Sequence, residues 1–388
     1  MKVLHICSDF CGSKVHKNLY SELAGQGVEQ TVYTYFSDPS NCGRNRFEAQ
    51  SVEFVYRPIL CYMHRALYHK KLHDVYEDIK AQLFVSPQSF DIVHATTLFS
   101  DGGLALRLYK DYGIQYIVSV RNTDVNAFLA RAPHTWITGI RILRHASRIV
   151  FISKSLKAKF CGHPLIRTIL PSIEHKFVIQ PNGIDSYWID SVKDSLASNN
   201  RNILYVGRFD RNKNVKRLCH AIVEMRQEYP DIKLHLVGGI DTKRVNDLIY
   251  NRGVNEVIRK YPETIIYHGK IYDNEALKSI YSQCSIFAMP SFHETFGLVY
   301  LEALSQNLAI VYTKGEGVDG MFDPRIGEAV KASSKEDIKI AIGKIISNRN
   351  DYLASAEIDF NQFRWNSIAS KYLDIYYKVL QHQSAPLI

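Results

Sequence analysis

Across its 388 residues the chain has no apolar run approaching the ~18 residues that cross a bilayer, so no membrane-spanning helix is expected. Its opening, Met1-Lys2-Val3-Leu4-His5-Ile6, is one short apolar strand, without the longer apolar core and small-residue cleavage site of a secretory signal. The seven cysteines form no C-x-x-C pair and no metal-ligand spacing, and their number is odd. Thiols scattered in this way read as reduced residues of a cytosolic protein. No G-x-G-x-x-G follows the first strand, which argues against a dinucleotide dehydrogenase. No helix-turn-helix, zinc or RNA-binding signature points to nucleic acid as a partner. Internal repeats and low-complexity tracts are also missing.

What is there is a globular composition, 46% hydrophobic and 22% charged, in a chain long enough for two ordinary domains. Short apolar runs alternate with helical stretches, the rhythm of parallel α/β sheets. Strands are expected at Lys2–Ser8, Gln30–Tyr35, Ile92–His94, Tyr116–Val120, Arg148–Ser153 and Lys176–Gln180. The rhythm restarts at Asn202–Val206 and continues through Lys233–Val237, Thr264–His268, Ser285–Met289 and Ala309–Thr313. Between the halves lie the turn Pro181-Asn182-Gly183-Ile184-Asp185 and the polar stretch Asp194–Asn200, read as a loop. The expected domains are 1–181, 182–360 and a tail, 361–388. The tail carries Trp365, Ile368, Tyr372, Ile375, Tyr376 and Val379 at helical spacing.

Charge is uneven. The net balance of +9 sits almost wholly in residues 1–184, with 22 Lys/Arg against 14 Asp/Glu, and Arg131–Lys159 contains no acid. Ordinary solvated surface is one reading; an anionic membrane surface or anionic substrate is the other. The stretch Tyr56–Lys71 interleaves Tyr62, Met63 and Tyr68 with Arg57, Arg65, Lys70 and Lys71. It suits either a headgroup-level patch or a helix packing its aromatics inward.

Parallel sheets bind ligands at the carboxyl ends of their strands. Two constellations fall there. Leu204-Tyr205-Val206-Gly207-Arg208-Phe209-Asp210-Arg211-Asn212-Lys213-Asn214 reads as strand, turn and helix start. Gly207 permits the turn, and Arg208 and Lys213 flank it, placed to converge on one anion such as a diphosphate. A surface loop with ordinary basic residues would look the same. The second constellation is Phe292-His293-Glu294-Thr295-Phe296-Gly297-Leu298-Val299-Tyr300-Leu301-Glu302. Glu294 precedes a helix and Glu302 lies within it, roughly 12 Å apart along the axis at ~1.5 Å per residue. The helix start at Phe296-Gly297 offers unbonded N–H groups between them. A capping carboxylate plus a surface glutamate is the plainer alternative.

Taken together and in this order, Gly207-Arg208…Lys213 and Glu294…Phe296-Gly297…Glu302 resemble the donor site of the family 4 retaining glycosyltransferases. The likeness extends to Pro181-Asn182-Gly183-Ile184-Asp185, Gly238-Gly239 and His268-Gly269-Lys270-Ile271. The resemblance implies an α/β, GT-B architecture. Two Rossmann-like domains face each other across a cleft, and a C-terminal helix packs back on the N-terminal domain. It implies that Arg208 and Lys213 neutralise the donor diphosphate, that Glu294 holds sugar hydroxyls, and that Phe296 and Gly297 present N–H groups nearby. It places Glu302 on the ribose, Lys270 and Ile271 at the nucleobase, and Gly12 and Gly207 in donor-binding turns. Near Arg121-Asn122-Thr123-Asp124 many relatives carry a histidine followed by an aspartate; the histidine is missing here, and Asp124 is the candidate catalytic residue left. His94, at a strand end, reads equally as a hydrogen-bonded structural histidine.

The implied activity is retaining transfer of a hexose-type sugar from a UDP- or GDP-sugar to a glycan or lipid-linked acceptor. Surface-polysaccharide assembly is the implied setting. No metal or cofactor is expected, in keeping with the missing Asp-x-Asp motif. The expected location is cytoplasmic, extended by a peripheral contact of the N-terminal domain with the inner face of the plasma membrane. A sugar-nucleotide epimerase, a glycogen-type phosphorylase and a non-catalytic nucleotide-sugar or glycan-binding protein are the rivals. The chain is very short for the phosphorylase.

Overall fold

A computed structural model describes residues 1–84, 90–192, 200–240, 245–322, 325–352 and 358–381. The predicted Asp194–Asn200 loop, apart from Asn200, lies outside the described residues. The chain divides into two compact units. One comprises Met1–Ile152, Leu156–Gly183 and the chain from Trp365 onward; the other comprises Ser153–Ser155 and Ile184–Arg364.

The N-terminal unit carries β1 (Lys2–Ile6), β2 (Glu29–Tyr35), β3 (Val52–Arg57), β4 (Ile92–Ala95), β5 (Tyr116–Val120), β6 (Arg148–Phe151) and β7 (Phe177–Ile179). They form one parallel sheet in the order β3-β2-β1-β4-β5-β6-β7. β4 and β5 are buried along their whole length, as expected of strands covered by helices on both faces. β3 is an edge strand and only half-buried, so its apolar signal is weak, and sequence patterning passes over it.

The C-terminal helix Trp365–Gln381 belongs to this unit. Its stripe Trp365, Ile368, Tyr372, Ile375, Tyr376 and Val379 is buried in the same core as Val3, Phe10, Leu19 and Tyr20. The period of that stripe is that of a helix with one apolar face. Gln26 reinforces the docking by donating to the Asn366 carbonyl and the Ser370 hydroxyl, each at 3.1 Å.

The second unit carries β8 (Asn202–Arg208), β9 (Lys233–Gly239), β10 (Ile265–Tyr267), β11 (Ile286–Ala288), β12 (Ala309–Thr313) and β13 (Gly327–Val330). Its parallel sheet runs β10-β9-β8-β11-β12-β13. β13 begins with glycine and has only one fully buried residue, which hides it from a propensity reading. Strand order reverses between β8 and β11, and the loops leaving a switch point of this kind diverge to open a crevice. Those two loops carry Arg208 to Lys213 and Phe292 to Gly297. The two ends of this unit lie side by side: the Ile184 amide donates to the Phe363 carbonyl at 3.0 Å.

Candidate functional site

The β8 loop is held to the β11 loop by two asparagines. Asn212 Nδ2 donates to the His293 carbonyl at 2.9 Å, and the His293 amide donates back to Asn212 Oδ1 at 3.0 Å. Buried Asn214 adopts a left-handed backbone, φ 59°, and donates to the carbonyls of Pro290 and Ala332. Asparagine tolerates that conformation better than most residues. The loops are therefore fixed before any ligand arrives.

On this frame Lys213 Nζ lies 2.5 Å from Glu294 Oε2, with both side chains largely out of solvent. Asp210 Oδ1 accepts from the Lys213 amide at 2.8 Å, and its other oxygen lies 3.4 Å from the Arg208 guanidinium. Arg208 itself is 61% exposed, so its remaining donors are available to an anion. The β12 loop closes the other side. Glu316 Oε2 accepts from the Glu294 amide at 3.0 Å, and the Gly317 amide donates to the Glu294 carbonyl at 2.9 Å.

Gly297 precedes helix Leu298–Ser305 with φ 80°, and an added Cβ there would lie 2.5 Å from the Tyr300 ring. The amides of the first helical turn have no partner of their own along the helix. The Phe296 side chain is buried, so any role it has at the helix start belongs to its backbone. Gly207 ends β8 against Gly238 of β9. Gly238 has φ 133°, and a Cβ there would fall 1.8 Å from the Gly207 carbonyl oxygen. The Gly238 amide donates to the Gly269 carbonyl at 2.7 Å, which brings the turn before Lys270 and Ile271 to the same strand ends. Lys270 is exposed there and Ile271 half-buried.

Glu302 stands apart from the Lys213–Glu294 pair, in a neighbourhood of its own. It accepts a long bond from the Tyr281 hydroxyl, 3.4 Å, and Asp185 bears on it electrostatically. Burial pushes its carboxyl up to about 7, against the opposing Tyr281 bond and with a smaller rise from Asp185.

In the N-terminal unit the candidate Asp124 sits at the start of the loop after β5. Its side chain is fully buried, and its oxygens accept from the amides of Arg121 (2.8 Å), Leu98 (3.0 Å) and Phe99 (3.1 Å). These three bonds tie the β4 and β5 loops together, two of them on Oδ2 and one on Oδ1. His94 is likewise structural: its ring is buried and contacts the Tyr376 hydroxyl at 2.8 Å and Ser119 at 3.4 Å. Gly12 lies exposed in a turn closed by Asp9, where a Cβ would meet the Asp9 carboxylate.

The basic-aromatic stretch divides. Tyr62 and Met63 are 84% and 52% exposed. Tyr68 is buried and donates to the Phe99 carbonyl at 2.8 Å, while Arg57 is ion-paired with Asp78 and Lys70 with Asp74. Lys71 lies over the Tyr35 ring and donates to Ser100 at 2.9 Å; burial lowers its pKa, with Asp101 and Asp124 opposing. It lines a cavity of about 330 Å³ with Leu60, Arg65, Tyr68, Phe128 and His134.

Sequence reasoning assigns no role to Asp210 and Asn212, whereas the loop Lys314-Gly315-Glu316-Gly317 after the strand Ala309–Thr313 is expected to border the donor site. An aspartate three residues before Lys213 is the signal that points to Asp210.

Two Rossmann-like units, the second with Arg208 and Lys213 on the loop after β8, are the parts of the GT-B architecture. The family model for glycosyl transferases group 1 matches residues 187–358, and that for glycosyltransferase family 4 matches 13–186. The chain belongs to the family 4, group 1 glycosyltransferases. A glycosyltransferase of Methanocaldococcus jannaschii is 23% identical over 246 residues, 59% of each chain. The D-inositol 3-phosphate glycosyltransferase of an Arthrobacter strain is 27% identical over 45% of this chain and 42% of its own. The chain thus spans less than two thirds of the length of these curated relatives. Among solved structures, sucrose-phosphate synthase from Thermosynechococcus elongatus aligns over 98% of this chain and all of its own, with TM-score 0.74 and 19% identity. Anabaena HepE in complex with UDP and glucose aligns over 97% of this chain and all of its own, with TM-score 0.66 and 15% identity. At these identities the structures establish the shared fold. Among the described residues no helix is long and apolar enough to cross a membrane.

Proposed function

We propose that the chain transfers a hexose, with retention, from a UDP- or GDP-sugar to an anionic or lipid-linked acceptor. The observation that carries the reading is the Lys213–Glu294 pair at the switch point, with exposed Arg208 beside it. On binding, Arg208 and Lys213 bond the donor diphosphate and neutralise the charge that grows on it as it leaves. Stabilising charge as it develops is usually what lowers the barrier most in such a displacement. Glu294 accepts from sugar hydroxyls, held in aim by Lys213 and by the loop bonds around Glu316. The amides of Phe296 and Gly297 meet the phosphates, Glu302 the ribose, and the Lys270-Ile271 backbone the base. Gly207 and Gly12 keep the turns open for close approach. The bond from sugar C1 to the phosphate oxygen breaks while the bond to the acceptor oxygen forms on the same face. The acceptor proton passes to the departing phosphate.

The acceptor side of the reading rests on the cavity beside Lys71, Arg65 and His134, with Tyr62 and Met63 exposed nearby. Its basic lining suits a phosphate-bearing acceptor, in line with the name of the Arthrobacter relative. A 25% identical Escherichia coli relative, over half of this chain and 24% of its own length, is a serotype-specific mannosyltransferase. That supports a place in surface-polysaccharide assembly, on the cytoplasmic side. A thermal-shift screen of nucleotide sugars tests the donor assignment, since a ligand selective for the native state raises apparent stability. A UDP- or GDP-hexose should stabilise the wild type and not Lys213→Ala. Equal stabilisation of both would overturn the site.

A further inference from the structure

At the opposite end of the N-terminal sheet, the amino ends of β5, β6 and β7 surround a cavity of about 360 Å³. Gln115 precedes β5, Arg148 opens β6, and His175 and Lys176 precede β7; His145 ends helix Trp136–His145. Every ionisable side chain lining the cavity, His145, Arg148, His175 and Lys176, is a base. The sequence has no acid between Asp124 and Glu174, so this end of the sheet receives no local counter-charge from that stretch.

The cations are fixed in place. Lys176 Nζ donates to the Arg144 carbonyl at 2.6 Å, and one Arg148 guanidinium nitrogen donates to the Ser147 carbonyl at 2.8 Å. Each is left with further N–H donors, because an ammonium has three and a guanidinium five. Ser147 donates to Gln115 Oε1 at 2.8 Å, which leaves the Gln115 amide nitrogen as another donor. His145 Nδ1 donates to the Arg141 carbonyl at 2.8 Å, so in the neutral ring Nε2 is an acceptor, and the donors for an anion come from Arg148, Lys176 and Gln115. Burial lowers the Lys176 pKa and the neighbouring Arg148 lowers it further, so two like charges share a half-buried site. Neither makes an ion pair among the described residues. Holding two cations together with no counter-charge costs free energy that a bound anion returns.

We propose that this cavity is a second anion site, for a small phosphate-bearing ligand, separate from the donor site. Its lining has donors and no aromatic face other than the two imidazoles, so it suits a diphosphate or sugar phosphate better than a nucleobase. Located at the amino ends of the strands, it lies away from the loop that carries Arg121 and from Lys71, which sits on helix Tyr68–Leu83.

Calorimetric titration of the full chain with inorganic pyrophosphate tests this. The titration is run in an Arg208→Ala/Lys213→Ala background, so that the donor site does not contribute. Binding should persist in that background, with a component that Arg148→Gln/Lys176→Met weakens at least tenfold and that Lys71→Met, at the other basic cavity, leaves intact. Separately, Arg148→Gln/Lys176→Met in the wild-type chain should not lower the melting temperature and should leave the affinity for UDP or GDP unchanged. Loss of binding together with a lowered melting temperature would be decided by His175→Gln, which removes one ligand from the loop and should still weaken binding. Pyrophosphate binding unaffected by these substitutions, no heat in the donor-site background, or binding to anionic vesicles alone would overturn the proposal.

Discussion

Replacing Lys213 with methionine keeps the aliphatic stem and removes the charge 2.5 Å from Glu294. Glu294 is then left largely buried, with a 3.3 Å bond from the Thr295 amide to its other oxygen and with the Glu316 carboxylate bonded to its own amide. Breaking a fully buried pair costs about 3–5 kcal/mol. An exposed pair is worth about 0–1 kcal/mol. With side chains 16% and 12% exposed, this pair falls between, and a loss of about 2 kcal/mol is expected. For a unit of this size that is a fall of roughly 4–8 °C in the melting temperature. Glu294→Gln should recover much of the loss when combined with Lys213→Met, because no unpaired buried charge then remains. Activity should not recover: each single variant and the double variant should lose about 10²–10³ in turnover, the cost of a lost charge-stabilising group. The assay is calorimetric unfolding of the four proteins, paired with donor turnover. Additive stabilities, or a double variant that regains turnover, would show that the pair does not act as described.

Other expectations are as direct. Glu302 ionises at about 7, so affinity for the nucleoside diphosphate should rise about tenfold between pH 6 and 8 as the ribose-binding carboxylate charges, and Glu302→Gln should flatten the profile. The folded pKa lies above the ordinary value of 4.5, so the ligand-free protein loses stability from this group as pH rises from about 4.5 to about 7 and no further above it; a melt series should show Glu302→Gln removing that loss. Asp124→Ala strands three backbone amides and should cost about 3 kcal/mol or more, since each buried unsatisfied donor costs about 1–3 kcal/mol. Its effect should appear in the melting temperature, and the affinity for nucleotide, measured on the folded fraction, should be unchanged. Full-length protein should bind anionic vesicles, release them as salt rises, and lose part of the binding in Tyr62→Ser/Met63→Ser; equal binding to neutral vesicles would remove the membrane contact.

The parallel-sheet rhythm is legible because mostly buried strands such as Tyr116–Val120 and Ala309–Thr313 are largely apolar, and both appear with the expected bounds. Val52–Arg57 and Gly327–Val330 are not, being half-buried or glycine-led. The C-terminal helix is readable from its stripe, whose six named residues are all buried. At the site, residue type and spacing bring Lys213 and Glu294 to notice, and the fold brings them into contact across 81 positions. Asn212 and Asn214 carry no such signal. Their work is to bond carbonyls of other loops, which only the tertiary structure supplies. The three amides that Asp124 accepts from are equally invisible in the sequence, because they come from two different loops.

If the switch-point cations drive departure of a nucleoside diphosphate from a sugar, the departure itself can be measured. The measurement is nucleoside diphosphate release from a panel of UDP- and GDP-hexoses, with the anomeric configuration of the sugar product read by NMR. Release from at least one donor is expected, with retention of configuration and a loss of about 10²–10³ in rate in Lys213→Ala. Tight binding of a nucleotide sugar that is never cleaved, with or without acceptor, would contradict this and leave a binding protein on a transferase fold.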